Sequence, residues 1–156
     1  QDLHQPLAAG EHRLRRLVLI APAGLRVPEA PMEDLFRIPP EQIPGRLVKN
    51  LDVLLPWLPT DPHDLDFAVD RYRETRTVAA VAWDEPFDRV IPRWMRTMTV
   101  PTMVMWGRDD AMIPVGQAPA WAALVPDISV RLFDDAGHLL LDESPAAVEA
   151  VTAFCK

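Results

Sequence analysis

The chain has 156 residues, 49% hydrophobic and 25% charged, with a net charge of −7 and a pI near 5.0, enough apolar material for one modest domain with a core. That acidity excludes a nucleic-acid partner, which needs a basic surface to neutralise phosphates. A lone cysteine, Cys155, excludes an internal disulfide and a cysteine-rich metal site, and no apolar run is long enough to span a bilayer.

The chain begins at Gln1 without a basic-then-apolar leader, so a cytoplasmic location is the default expectation and the true start is expected upstream. Gln1 to Ala9 reads as the tail of a helix ending at Gly10. Leu17-Val18-Leu19-Ile20-Ala21 is continuously apolar, bounded by charge and by Pro22, the pattern of a parallel strand covered on both faces. About eighty residues then precede the next strand, far more than a simple crossover needs. They read as an inserted helical subdomain. Leu47, Val48, Leu51, Leu54 and Leu55 keep helical spacing up to Pro56. Leu65, Ala68, Val69, Tyr72 and Ala79 share one face of a second helix, capped by Asp61 or Asp64. Phe87, Val90, Ile91, Trp94 and Met98 form a third stripe, in which Pro92 opens a fresh turn.

Met103-Val104-Met105-Trp106 is the second fully apolar strand. A helix through Ala118, Trp121, Ala122 and Val125, with Pro119 in its first turn, leads to a third strand, Ile128–Phe133. There Ser129 and Arg131 alternate with Ile128, Val130 and Leu132, as suits a strand nearer the sheet edge. The closing helix carries Ser144 as N-cap, Pro145 at its first position, and Val148, Val151, Phe154 and Cys155 as its buried stripe. The expected fold is therefore α/β: three parallel strands with flanking helices, residues 1–27 and 96–156 forming a partial core and 28–95 a helical insertion.

Ligands of open parallel sheets gather beyond the carboxyl ends of the strands. Asp110 and His138, 28 residues apart, each follow such an end, in Trp106-Gly107-Arg108-Asp109-Asp110 and in Ala136-Gly137-His138. A histidine acting as general base needs its second ring nitrogen held by a carboxylate, which fixes the tautomer and stabilises the imidazolium. Gly107 and Gly137 permit the sharp turns that would bring the two together.

Trp-Gly-Arg-Asp-Asp-x-x-Ile-Pro followed by Gly-His at the next strand end resembles the α/β-hydrolase fold family, and Leu17 to Leu25 is similar to the strand after that family's nucleophile helix. The resemblance covers essentially the whole chain, mapped onto the last three of the family's eight strands. It implies that Asp110 is the triad acid, with Asp109 as runner-up, that His138 is the general base, and that 28–95 is a lid. It also implies a nucleophile elbow, G-x-S-x-G, which these residues lack. The nucleophile and the missing N-terminal half of the fold, about one hundred residues at ordinary element sizes, are expected upstream. The chain alone is expected to be catalytically silent and marginally stable, with Leu17–Ala21 as an exposed edge.

The substrate implied is a small ester, amide or similar acyl compound, with no cofactor or metal called for. Ile113, Leu139 and Trp83 are candidates to line its pocket. The same fold also hosts carbon–carbon bond hydrolases, dehalogenases, haloperoxidases and acyltransferases, or the chain could be a non-catalytic binding module. Ring-cleavage-product hydrolases typically carry a tryptophan after the histidine, where Leu139 stands here. Ser129 sits within a strand and Ser144 at a cap, both poor nucleophiles. His63 lies among acidic residues of a helix's first turn, which need no metal to explain them. The basic runs Arg13, Arg15, Arg16 and Arg71, Arg73, Arg76 read as solvated faces; a homo-oligomer is compatible with all of this.

Overall fold

The computed structural model describes residues 14–61, 63–83 and 87–156; the helix tail expected before Gly10, with His4 and His12, lies outside them. Three parallel strands stand at the centre in the order β1 (Leu17–Ile20), β2 (Thr102–Gly107) and β3 (Ile128–Phe133). Leu17 lies opposite Thr102, and Thr102 opposite Ile128.

Every residue of β2 is buried, and the two-residue period of a strand divides its side chains between two cores. Val104 and Trp106 pack with Ala21, Met95, Met98, Ile113 and Trp121. Met103 and Met105 point the other way, into Ala136, Leu140 and Ala147. Helices α3 (Ile91–Met95) and α4 (Ala118–Ala122) thus cover one face, and α5 (Leu140–Glu143) and α6 (Pro145–Phe154) the other. β1 divides likewise, Leu17 and Leu19 to the first core, Val18 and Ile20 to the second, which is why both strands read as unbroken apolar runs. β1 stops one residue short of expectation: Ala21 turns out of the sheet with φ +40°, its N–H still donating to Met105 O at 2.9 Å. β3 lies at the edge, and the residues between Ile128 and Phe133 are exposed. Val130 and Leu132 do face α4, across an open cleft of about 380 Å³.

Local signals account for most element boundaries. Asp64, not Asp61, caps α2 (Leu65–Ala82), its Oδ1 accepting the Phe67 N–H at 3.0 Å. Pro92 and Pro119 fall in the first turns of α3 and α4, where a missing N–H costs nothing. Ser144 Oγ accepts the Ala147 N–H at the start of α6. The arginines of α2 lie on an exposed helix, Arg71 paired with Glu74 and Arg73 with Asp70.

Three expectations are corrected. The helix through Leu47–Leu55 is interrupted: α1 (Ile43–Leu47) ends where Val48 becomes extended, and a 3-10 helical stretch, Leu51–Trp57, starts afresh. Asn50 causes the new start by accepting the Asp52 N–H with its side chain, a local bond that competes with helix continuation. Pro56 lies inside that stretch and does not end it. Second, the apolar face of α2 is not buried; Leu65, Val69 and Tyr72 are exposed. Third, the stripe of α6 is Ala147, Ala150, Val151 and Phe154, an i, i+3, i+4, i+7 set, which turns Val148 to solvent and leaves Cys155 exposed beyond the last helical residue. No helix among the described residues is long and apolar enough to cross a membrane.

The contrast between the two apolar regions is measurable. Met105→Ala, at a fully buried site, should cost about 2–5 kcal/mol in urea unfolding. Val81→Ala, on the exposed side of α2, should change stability by less than about 0.5 kcal/mol.

Candidate active site

The loops that follow β2 and β3 touch through their backbones. A Cβ on Gly107, the last residue of β2, would lie 2.2 Å from Ala136 O and 2.4 Å from Gly137 O. Any side chain there would force the loops apart. With glycine in place, the Arg108 N–H donates to Phe133 O at 2.9 Å and the Asp109 N–H to Ala136 O at 3.0 Å.

The next residue, Asp110, is turned inward by three further bonds. Its Oδ1 accepts the Met112 N–H at 2.9 Å and the Ile113 N–H at 2.8 Å. The indole N–H of fully buried Trp106 donates to Ile113 O at 2.8 Å, tying the loop to the strand beneath it. Asp110 Oδ2 then faces His138 Nδ1 at 2.9 Å. The Asp110 side chain is 0% exposed and that of His138 24%. A buried carboxylate is costly unless its oxygens are satisfied, and here both are. Because a carboxylate can only accept, the pairing assigns the proton to Nδ1 in the neutral ring and leaves Nε2 with its lone pair.

Asp109 takes the opposite course. Its carboxylate, 43% exposed, pairs with Lys49 Nζ at 2.9 Å, and Lys49 also reaches Asp135 at 2.6 Å. The hydrogen bonds it donates to Asp135 and then to Asp109 raise Lys49 well above its ordinary value, and the same Lys49 contact lowers the Asp135 carboxyl. Asp134 and Asp135 form the turn after β3, Asp135 adopting φ +56°. Of the adjacent aspartates, only Asp110 meets the histidine.

Glu143, at the end of α5, is a residue that no sequence motif singles out. Its Oε2 accepts the Gly137 N–H at 2.6 Å, while Oε1 accepts the N–H groups of Lys49 and Asn50 at 2.7 and 2.9 Å. The Leu139 N–H donates to Leu47 O at 2.9 Å. His138 is therefore held on one side through Gly137 and Glu143, which also binds Lys49 and Asn50, and on the other by Leu139 to Leu47. The only signal in the sequence is an acidic residue between the histidine and the cap of α6, and no periodicity marks it.

The other candidates scatter. Ile113 is buried in the first core and serves the Asp110 loop through its backbone. Leu139 is half-buried beside His138. Trp83, just past α2, is exposed and packs on Phe36 with ring centroids 5.0 Å apart. Ser129 lies in exposed β3, and Ser144 is engaged as a cap. A cleft of about 500 Å³ between Gly24–Val27, α3 and α4 has neither Asp110 nor His138 in its lining. Among the described residues no cluster of His, Cys, Asp and Glu is placed to hold a metal ion.

These features define a layered α/β protein with an aspartate and a histidine hydrogen-bonded across adjacent strand ends. The family model described as alpha/beta hydrolase fold matches residues 57–145, more than half of the chain. The chain belongs to the α/β-hydrolase fold family. It is 27% identical to a carboxylesterase, YbfK, of Bacillus subtilis, over 91% of this chain and 49% of that one. A serine hydrolase from the polyaromatic-hydrocarbon-degrading bacterium Cycloclasticus zankles shares its fold with a TM-score of 0.65 and 18% identity, over 94% of this chain and 56% of the other. Naproxen esterase of Bacillus subtilis does so with a TM-score of 0.59 and 20% identity, over 92% and 52%. The chain thus spans about half the length of these relatives.

Gly107→Ala should destabilise the protein by about 3 kcal/mol or more, because the obstructing atoms are backbone carbonyls that cannot step aside. Chemical denaturation of purified variant and parent checks this. The Lys49 cluster predicts a pH dependence with a definite sign. Asp135, lowered in the folded state from 3.8, contributes stability that is present above its ordinary range and lost as pH falls through the lowered value. Lys49, raised from 10.5, contributes stability that is complete below its ordinary value and lost as pH rises through the raised one. Lys49→Met should remove both limbs and return the Asp135 titration, followed by carboxyl 13C NMR, toward 3.8.

Proposed function

We propose that this chain supplies the acid and the general base of an esterase-type hydrolase acting on a small acyl substrate, with a nucleophile from a segment beyond these 156 residues. The observation that carries the reading is the 2.9 Å contact between buried Asp110 and His138 at the ends of β2 and β3. In this mechanism His138 Nε2 takes the proton of the nucleophile as it attacks the acyl carbonyl. Asp110 stabilises the imidazolium, and His138 then returns the proton to the departing alkoxide. A water molecule repeats the sequence in deacylation. Residues 28–95 act as a lid over this centre, and Leu139 and Trp83 present apolar surface to the substrate, with Ile113 behind Asp110.

Several observations support an outside nucleophile. No G-x-S-x-G occurs in the chain, and both serines are accounted for otherwise. The chain covers about half of its relatives. Among the described residues β1 pairs on one side only, although its four residues are all apolar, and an unpaired apolar edge invites a further strand. The similarity to a carboxylesterase favours ester hydrolysis over the other chemistries of the fold.

The test uses the complete protein and nitrophenyl esters of short acids. His138→Ala should lower kcat by about a millionfold and Asp110→Asn by about ten-thousandfold. A fluorophosphonate probe should label a residue outside this chain, and residues 1–156 alone should show no turnover. Turnover that survives His138→Ala, or turnover by the isolated segment, would overturn the proposal.

A further inference from the structure

We propose that Glu143 is a positioning residue for His138, one that locks the histidine loop and residues 47–50 of the helical insertion into a single unit. The inference rests on the function proposed above for its importance, but on geometry alone for its existence. The Glu143 carboxylate accepts three backbone N–H groups: Gly137 on the histidine loop, Lys49 and Asn50 on the insertion. Around it run two parallel ties, Leu139 N–H to Leu47 O and Lys49 Nζ to Asp109 and Asp135. The residues on both sides of His138 are therefore anchored to the same four-residue segment.

Packing there leaves little slack. A Cβ on Gly137 would stand 3.0 Å from Glu143 Oε2, 3.1 Å from Lys49 N and 3.2 Å from Leu47 O. The interruption between α1 and the Leu51–Trp57 stretch has a reason in this arrangement. An uninterrupted helix would direct the Lys49 and Asn50 N–H groups into its own ladder, and Glu143 would keep only Gly137 and bridge nothing. Charge matters as much as shape. An ionised carboxylate can accept on both oxygens, and bonds to it are roughly twice as strong as neutral ones.

Glu143→Gln isolates the effect at constant volume. An amide has one oxygen and one NH2 group, so whichever way it turns, an N–H donor meets another donor on one side and the bridge is broken. The measurement is the Nδ1 proton of His138 in the 15N-histidine-labelled complete protein, assigned by its loss in His138→Gln. In the parent it should be hydrogen-bonded and slow to exchange with water. In Glu143→Gln and Glu143→Ala its exchange should accelerate at least tenfold, and kcat for ester hydrolysis should fall at least tenfold with KM within twofold. Ser144→Ala, which removes the neighbouring helix cap without touching Gly137, should leave exchange and kcat as in the parent. Unchanged exchange in Glu143→Gln, or an equal acceleration in Ser144→Ala, overturns the proposal. Because the proton is observed without turnover, its exchange tests the role of Glu143 even in a protein that proves not to be an esterase.

Discussion

The architecture of this site turns on how closely two strand ends approach. β2 and β3 are hydrogen-bonded neighbours along their whole length, but paired strands do not by themselves make the loops beyond them touch. At Gly107 they touch because the residue has no Cβ: Ala136 O occupies the place where one would be. From that contact follow the bonds from Arg108 and Asp109 to the opposite loop. From those bonds follows the direction in which Asp110 leaves the strand. The Asp110–His138 pair is downstream of a backbone contact that one methyl group would prevent.

The adjacent aspartates show how one residue type acquires two characters within a single turn. Asp109 remains at the surface and pairs with a lysine that is itself half exposed, an interaction that water and salt screen heavily. Asp110 is turned into the protein, where two backbone N–H groups and an imidazole replace its water. A buried charge is tolerable only with such substitution. The indole of Trp106 supplies the scaffold by fixing Ile113 O, so the first core is wired directly to the carboxylate. In the proposed mechanism the same carboxylate must stay in place when the histidine becomes charged. A loop already fastened in this way needs little rearrangement to do so.

What was legible in the sequence was whatever its period or a single residue could express. Continuous apolar runs gave β1 and β2, alternation gave an edge strand, and Asp64, Pro92, Pro119 and Ser144 marked helix starts by chemistry that acts within one turn. The Gly-Arg-Asp-Asp and Gly-His segments pointed to the pair that the structure brings within hydrogen-bond distance. Less legible were features set by distant partners. The four residues of α5 are too few to show a period. The break at Val48–Asn50 reflects a local side-chain bond and a carboxylate more than ninety residues away. In α6 Val151 and Phe154 were read correctly, but Ala147 and Ala150 take the places expected of Val148 and Cys155, because helical period alone does not say which face a neighbour covers.

The fold alone does not establish the chemistry, since this architecture carries many activities; the case for acid–base work lies in how the pair is held. A histidine retained only for stability would be expected to use both ring nitrogens on the protein, or to be packed away with one of them satisfied. Here Nδ1 meets a buried acceptor, the ring remains partly exposed, and the backbone on either side of it is tied to Glu143 and Leu47. Such an arrangement demands a glycine at the end of β2, a desolvated carboxylate and a helix interrupted between Leu47 and Leu51. The glycine and the buried carboxylate are departures from what local structure would favour. The return in folding energy is a partly exposed hydrogen bond to a charged group, worth about 1.5–3 kcal/mol at most. Departures of that kind gather at functional sites, and here they converge on holding one imidazole by its Nδ1, as the proposed mechanism requires.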